Sequence, residues 1–191
     1  MHYLFESQNP ALAQQTLGSV ETLSFSGLGL TPIDCAVLSH TIRLCDTIKR
    51  LDLESCRIQC EGVQRLGPAL HKCQVLRLGG NKDLGDTGVK LVFAALRNPD
   101  CKIQTLWLQH VGLIDSGAED LVSALSTNTS LTRLNLTGNS LTDRCVPALR
   151  NLILTLPRLM WIGLRGNEFG RTGKKELRSL QEPRPGLTVD V

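Results

Sequence analysis

The chain has 191 residues, 41% of them hydrophobic, and a formal net charge of +3. That length suits one domain or a marginal two and can enclose a sizeable core, which must be aliphatic because aromatic residues make up only 4%. The small charge does not by itself point to nucleic acid, no apolar run reaches the roughly 18 residues of a spanning helix, and no basic flank with an apolar stretch marks a secretory signal at the N-terminus.

Beyond the first 19 residues the chain is periodic. The segments VETLSFSGLGL from Val20, IKRLDLESCRI from Ile48, IQTLWLQHVGL from Ile103, LTRLNLTGNSL from Leu131 and LMWIGLRGNEF from Leu159 share one pattern, and VLRLGGNKDL from Val75 is an irregular sixth copy. Their second apolar position falls at Leu23, Leu51, Leu76, Leu106, Leu134 and Ile162, giving spacings of 28, 25, 30, 28 and 28 residues. A fixed period of this size is the mark of a stacked-repeat architecture.

Within each copy the period changes. The LxL half alternates apolar and polar residues, as a strand with one buried face does. The other half has helical spacing: in DSGAEDLVSALSTN, Ala118, Leu121, Val122 and Leu125 share a face. Asp115 or Ser116 is expected to cap that helix and Asn128 to help end it. Because each connection is a helix, successive strands must be parallel. One unit cannot bury its own apolar face, but six in a stack share a continuous core. Each fully buried Leu or Ile contributes roughly 1.5–3 kcal/mol. Helices are bulkier than strands, so the stack must bend, with strands on the concave wall and helices outside. The expected fold is an α/β solenoid, with residues 20–182 as six repeats.

The position following each LxL core carries Leu28, Cys56, Asn81, Val111, Asn139 and Asn167, all expected to point inward. An Asn there can satisfy backbone groups of the turn, worth about 1 kcal/mol net. Leu28 and Val111 cannot, so their turns are expected to rely on backbone pairing or water. The seven cysteines, Cys35, Cys45, Cys56, Cys60, Cys73, Cys101 and Cys145, are odd in number and scattered, which suits reduced thiols in a cytosolic protein. Two N-x-S/T sequons, at Asn128 and Asn135, then have no role.

Strand residues between the buried leucines project from the concave wall. The middle column reads Ser24, Asp52, Arg77, Trp107, Asn135 and Gly163, flanked by Arg50, Arg133 and Trp161 on one side and Glu54, Gln109 and Arg165 on the other. Trp and Arg are the residue types enriched in interaction hot spots, so Arg77, Trp107, Arg133, Trp161 and Arg165 form the candidate protein-contact patch. The alternative is that each Trp only packs against a neighbouring side chain. The segment from Arg158 to Arg184 holds seven Arg or Lys against three Glu. It reads as the solvated face and polar cap that a terminal repeat needs, with phosphate, RNA or an acidic protein as the alternative ligand.

No pattern carries chemistry. Cys56 and Cys60, with His71 and Cys73 nearby, occupy different structural slots and complete no tetrahedral zinc set. His2, His40, His71 and His110 lie in different repeats, without a nucleophile and oxyanion site beside them. Asp34, Asp86, Asp115 and Asp143 recur at helix starts, where capping explains them. GGNKDLGDTG from Gly79 lacks the spacing of a phosphate cradle. No catalytic residue, metal or cofactor is expected.

Strand-plus-long-helix repeats of about 28 residues resemble the ribonuclease-inhibitor class of leucine-rich repeats. LTPIDCAVLSHTI from Leu30, NPDCKIQTLWLQ from Asn98 and ALSTNTSLTRLNLTGNSLTD from Ala124 are similar to phrases of the repeat blocks of NLR (NACHT–leucine-rich-repeat) receptors. HYLFESQNPALAQQTLG from His2 resembles the helical linker that joins their NACHT region to the first repeat. The resemblance implies a cytoplasmic innate-immune module for ligand sensing, autoinhibition or partner recruitment, with inflammasome assembly among its relatives. It implies protein partners and intramolecular contacts to a NACHT region in a full-length receptor. Residues 1–19 are then a linker and cap, and residues 183–191 a C-terminal cap. The chain has no GxxxxGK[ST] loop and no death-fold-like region, so it is expected to act as a module. The alternatives are a stand-alone inhibitor of the ribonuclease-inhibitor kind, which would favour an acidic wall, and an RNA sensor.

Overall fold

The computed structural model describes residues 19–191, so the expected linker at residues 1–19 lies, but for Ser19, outside the described residues. Strands and helices alternate along the chain. They are β1 (Ser19–Ser24), α1 (Pro32–Leu44), β2 (Thr47–Asp52), α2 (Cys60–Leu70), β3 (Cys73–Arg77), α3 (Gly85–Arg97), β4 (Thr105–Trp107) and α4 (Asp115–Leu125). There follow β5 (Arg133–Asn135), α5 (Val146–Thr155), β6 (Trp161–Gly163), α6 (Arg171–Ser179) and β7 (Thr188–Asp190). Short 3-10 turns, Lys82–Leu84 and Asp143–Cys145, lead into α3 and α5.

All strand pairs are parallel and run in sequence order, β1 to β7, in one open sheet. The register carries a single spine: Leu23, Leu51, Leu76, Leu106, Leu134, Ile162 and Val189 lie side by side. Each spine residue from Leu51 to Ile162 is fully buried. Strands sit about 4.8 Å apart while packed helices need 8–10 Å, so the stack closes up on the strand side. The result is a right-handed leucine-rich-repeat solenoid with a concave strand wall and a convex helical one. Residues 183–191 carry β7, a strand beyond the six copies visible in the sequence, where Leu187, Val189 and Val191 keep the apolar alternation.

The turn after each strand is the same in every repeat. Gly27, Ser55, Gly80, His110, Gly138 and Gly166 all have left-handed backbones, with φ between 53° and 78°. The next residue is the one expected to point inward. Asn139 shows how it works: its amide donates to the carbonyls of Leu108 and Leu136, both at 2.9 Å, and its Oδ1 accepts from the amides of Val111 and Leu113, both at 3.1 Å. Asn81 and Asn167 repeat the pattern against Leu53 and Leu136 of the repeat before. The Cys56 thiol substitutes for an Asn by donating to the Phe25 carbonyl at 3.0 Å.

Two of these positions depart from expectation. Val111 is buried as expected, but its amide is served by the Asn139 side chain, and its carbonyl by the Gly85 amide at 2.9 Å. Leu28 does not point inward; it is 56% exposed. The inward place exists because a preceding repeat supplies its other wall, and the described residues hold none before β1.

The recurring aspartates also act differently from the expectation. Only Asp34 caps its own helix, in a reciprocal box with Thr31. The others reach across to the next repeat. Asp86 accepts from the Ile114 amide at 2.9 Å and from the Ser116 hydroxyl. Asp115 accepts from the Thr142 amide at 2.8 Å and its hydroxyl at 2.6 Å, and Asp143 from the Gly170 amide at 2.8 Å. Asp115 and Ser116 therefore do not cap α4; Ile114 is the cap residue, and Asp86 of the repeat before satisfies its N–H. Asn128 orders the loop beyond α4, accepting from the amides of Ser130 and Leu131. Both sequon asparagines, Asn128 and Asn135, are buried.

Candidate functional site

The strand wall places four of the five candidate residues in one continuous stack. Register puts Arg77 of β3 beside Trp107 of β4, and Arg133 of β5 beside Trp161 of β6. The Arg77 guanidinium lies over the Trp107 ring at 5.4 Å, and that of Arg133 over the Trp161 ring at 5.5 Å. The two indoles then meet each other, with centroids 6.2 Å apart and planes inclined by 29°. Cation–ring contacts are worth about 0.5–1 kcal/mol at exposed sites, and stacked rings about 0.5–1.5 kcal/mol beyond the area they bury. The series Arg77, Trp107, Trp161, Arg133 is thus held in place before any partner arrives.

The indoles belong to different strand columns, with β5 between them, so their contact is diagonal. Two small residues allow it. A Cβ on Gly163 would run into the Trp161 ring and come within 2.9 Å of Asn135 Oδ1, so the ring occupies the space a side chain would fill. Asn135 itself lies low, its Oδ1 accepting from the Thr137 amide at 3.0 Å.

The ends of the stack differ in charge. Arg77 is tied to two carboxylates, Asp52 at 3.3 Å and Glu54, and Gln109 donates to Glu54 at 2.7 Å. Gln109 lies across Gly79, where a side chain would block it. Arg133 is exposed, and among the described residues no carboxylate pairs with it. Arg165, the fifth candidate, does not join the stack; its Nε pairs with Asp190 of β7.

The basic C-terminal segment is partly consumed by the fold. Arg184 donates to the carbonyls of Ile153, Pro157 and Leu159, where α5 ends, and Arg178 donates to the Val191 carbonyl at 2.7 Å. Cys56 and Cys60 serve separate turns: the Cys60 thiol donates to the Leu84 carbonyl, not to anything near Cys56. Burial pushes the thiol of Cys73 up to about 12 and that of Cys35 to about 11.

A family model described as "Leucine Rich repeat" matches residues 45–67 and 127–144. The mouse "NACHT, LRR and PYD domains-containing protein 3" is 30% identical over 183 residues, which cover 95% of this chain and 15% of that protein. The human "NACHT, LRR and PYD domains-containing protein 12" is 34% identical over 149 residues, 74% of this chain and 14% of that protein. The chain is a leucine-rich-repeat domain of the NLR family. It spans about 15% of the length of these NLR relatives. The solved structure titled "Leiomodin-1 Actin-Binding Site 2 (ABS2)" shares the leucine-rich-repeat fold, with a TM-score of 0.56 at 16% identity over 66% of this chain and 74% of that one.

The two matched segments of this NLR repeat domain hold the turn residues Cys56 and Asn139 and the spine residues Leu51 and Leu134. They describe scaffold. Of the stack, only Arg133 lies within them. The column alignment of the repeats makes the pairs Arg77–Trp107 and Arg133–Trp161 readable from sequence. The diagonal Trp–Trp contact and the anchoring of Arg77 are not readable there, because both depend on side-chain direction. Gly163 in a strand column was the available signal: a strand glycine marks a close approach.

Proposed function

We propose that this domain is the protein-binding module of a cytoplasmic NLR-type receptor, serving ligand sensing, autoinhibition or partner recruitment in inflammasome-type signalling. It grips its partner on the concave wall and catalyses nothing. In this reading residues 1–19 are the linker toward a NACHT region, residues 20–182 the repeat body and residues 183–191 its cap. The observation that carries it is the Arg77–Trp107–Trp161–Arg133 stack. The two tryptophans of the chain meet on the open face of the sheet, where scaffold stability does not call for them. Rigid aromatic groups lose little entropy on binding, and pre-ordered anchors bind more tightly for the same contact area. A stand-alone inhibitor of a basic enzyme fits less well, because the wall's acidic residues Asp52 and Glu54 are already engaged by Arg77.

The test is a photo-crosslinker placed at Thr105, beside the stack, followed by affinity measurement of each captured protein. Two variants are compared with the wild type: Trp107→Ala with Trp161→Ala, and Gly163→Ala, which leaves both indoles but displaces Trp161. Both should weaken binding about tenfold or more, the scale of a lost hot spot, while keeping the wild-type melting profile. Unchanged affinity in both variants would remove the concave-wall reading.

A further inference from the structure

We infer that the Arg133 end of the stack receives a carboxylate of the protein partner. This rests on the concave-wall reading and names the chemistry that the wall selects.

Three observations converge on it. The first is the difference between the arginines. Arg77 holds Asp52 and Glu54, and Arg165 holds Asp190. Arg133 has no acidic partner among the described residues, yet its guanidinium is fixed over Trp161 at 5.5 Å. Stacking uses the flat face of a guanidinium and leaves its edge, where the N–H groups lie. That edge is the fork that matches a carboxylate with two parallel hydrogen bonds.

The second observation concerns the indoles. Each carries one N–H, a donor only. Among the described residues neither N–H has a protein acceptor, and neither is buried away from solvent. At this end of the stack the Arg133 edge and the Trp161 N–H beside it are donors without a protein acceptor among the described residues. A ligand that completes them must bring acceptors.

The third is the charge of the wall. Arg50, Arg77, Arg133 and Arg165 share the wall with Asp52, Glu54 and Asp190; the acids sit with Arg77 and Arg165, while Arg133 lies between Thr105 and Trp161 in the register. The charges nearly cancel, and Arg50 stands three strands from Arg133, about 14 Å at ordinary strand spacing. A nucleic-acid strand repeats its charge at every residue and needs several unpaired cations in a row. One isolated, pre-ordered guanidinium suits one carboxylate.

Trp107 and Trp161 are the chain's two tryptophans, so intrinsic fluorescence reads this site directly. The full chain is titrated with a capped pentapeptide bearing one central glutamate between leucines, and with its glutamine twin. The glutamate peptide should bind roughly three- to tenfold more tightly, as expected for a partly exposed, charge-assisted pair. Arg133→Gln should erase the preference, and Arg133→Lys should keep part of it. Arg133 is exposed, and equal melting temperatures will confirm that both variants fold. Equal binding of the two peptides, binding of neither, or a preference that survives Arg133→Gln each overturns the inference. So does an oligouridylate RNA that binds through Arg133 more tightly than the glutamate peptide. If the indole variants lose the crosslinked partner while the peptides show no preference, the concave wall stands and the carboxylate alone falls.

Discussion

His110 is one of two non-glycine residues at the turn position that every repeat holds in the left-handed region. A side chain there costs about 1 kcal/mol or more in backbone strain. The imidazole recovers part of it by folding over Gly138, the same position in the next repeat, where a Cβ would collide with the ring. Replacing His110 with Gly should raise stability by about 0.5–1 kcal/mol in urea unfolding, the released strain exceeding the lost contact. A destabilised variant would mean that the ring packing dominates. The turn itself was readable from sequence: glycine in four of the six aligned positions signals the backbone, and His110 is legible as the exception. What the imidazole touches was not readable, since it depends on the stacking of one turn upon another.

Between elements, the aspartates join one repeat to the next. Asp115 sits at the start of α4 yet holds Thr142 at the entrance to α5. Burial raises its pKa, but the hydrogen bonds from the Thr142 hydroxyl and amide outweigh that and leave it below the ordinary carboxylate value. A carboxylate with a lowered folded pKa stabilises the fold above its unfolded pKa. That contribution fades as the pH falls through the folded value. Asp115→Asn should therefore lose about 1 kcal/mol at neutral pH, the usual worth of a helix-start acceptor. The gap to wild type should narrow below about pH 4. A pH-independent gap in chemical denaturation would show that shape, not charge, matters there. The sequence marks these aspartates at helix starts, but local spacing carries no information about the neighbouring coil, so their contacts to the next repeat are not legible in it. Gly117 and Gly173 were the overlooked companions: a side chain at either would strike Asp86 or Asp143.

Over the whole molecule the repeats were legible because one register of leucines recurs, and the parallel sheet follows from it. The first and last described units are harder to read, since their apolar pattern is less regular than that of the middle repeats. Leu28, Ile33 and Val37 are exposed in the first described repeat, and Val20, Leu23 and Phe25 are only partly covered, whereas Leu106, Leu121 and Leu134 in the middle are fully buried. In such a one-dimensional stack, local opening is easiest where the fewest interfaces hold a unit. Hydrogen exchange on the full chain should show α1 amides exchanging faster than those of α3 and α4. Uniform protection from α1 through α4 would indicate that residues 1–18 close that end.

The forward-reaching aspartate recurs at Asp86, Asp115 and Asp143, and the backward-reaching asparagine at Asn81, Asn139 and Asn167 with Val111 between them, so whole units of the central stack share one kind of joint. Excising residues 111–138 would bring His110 directly before Asn139, a left-handed residue followed by its hook, as in the intact chain. Copy number is therefore free to drift by whole units without redesign of a seam. The arginine–indole stack has no such freedom, because it depends on which coils happen to be adjacent. Lengthening or shortening the chain between β3 and β6 would leave the scaffold sound and change only what it can hold.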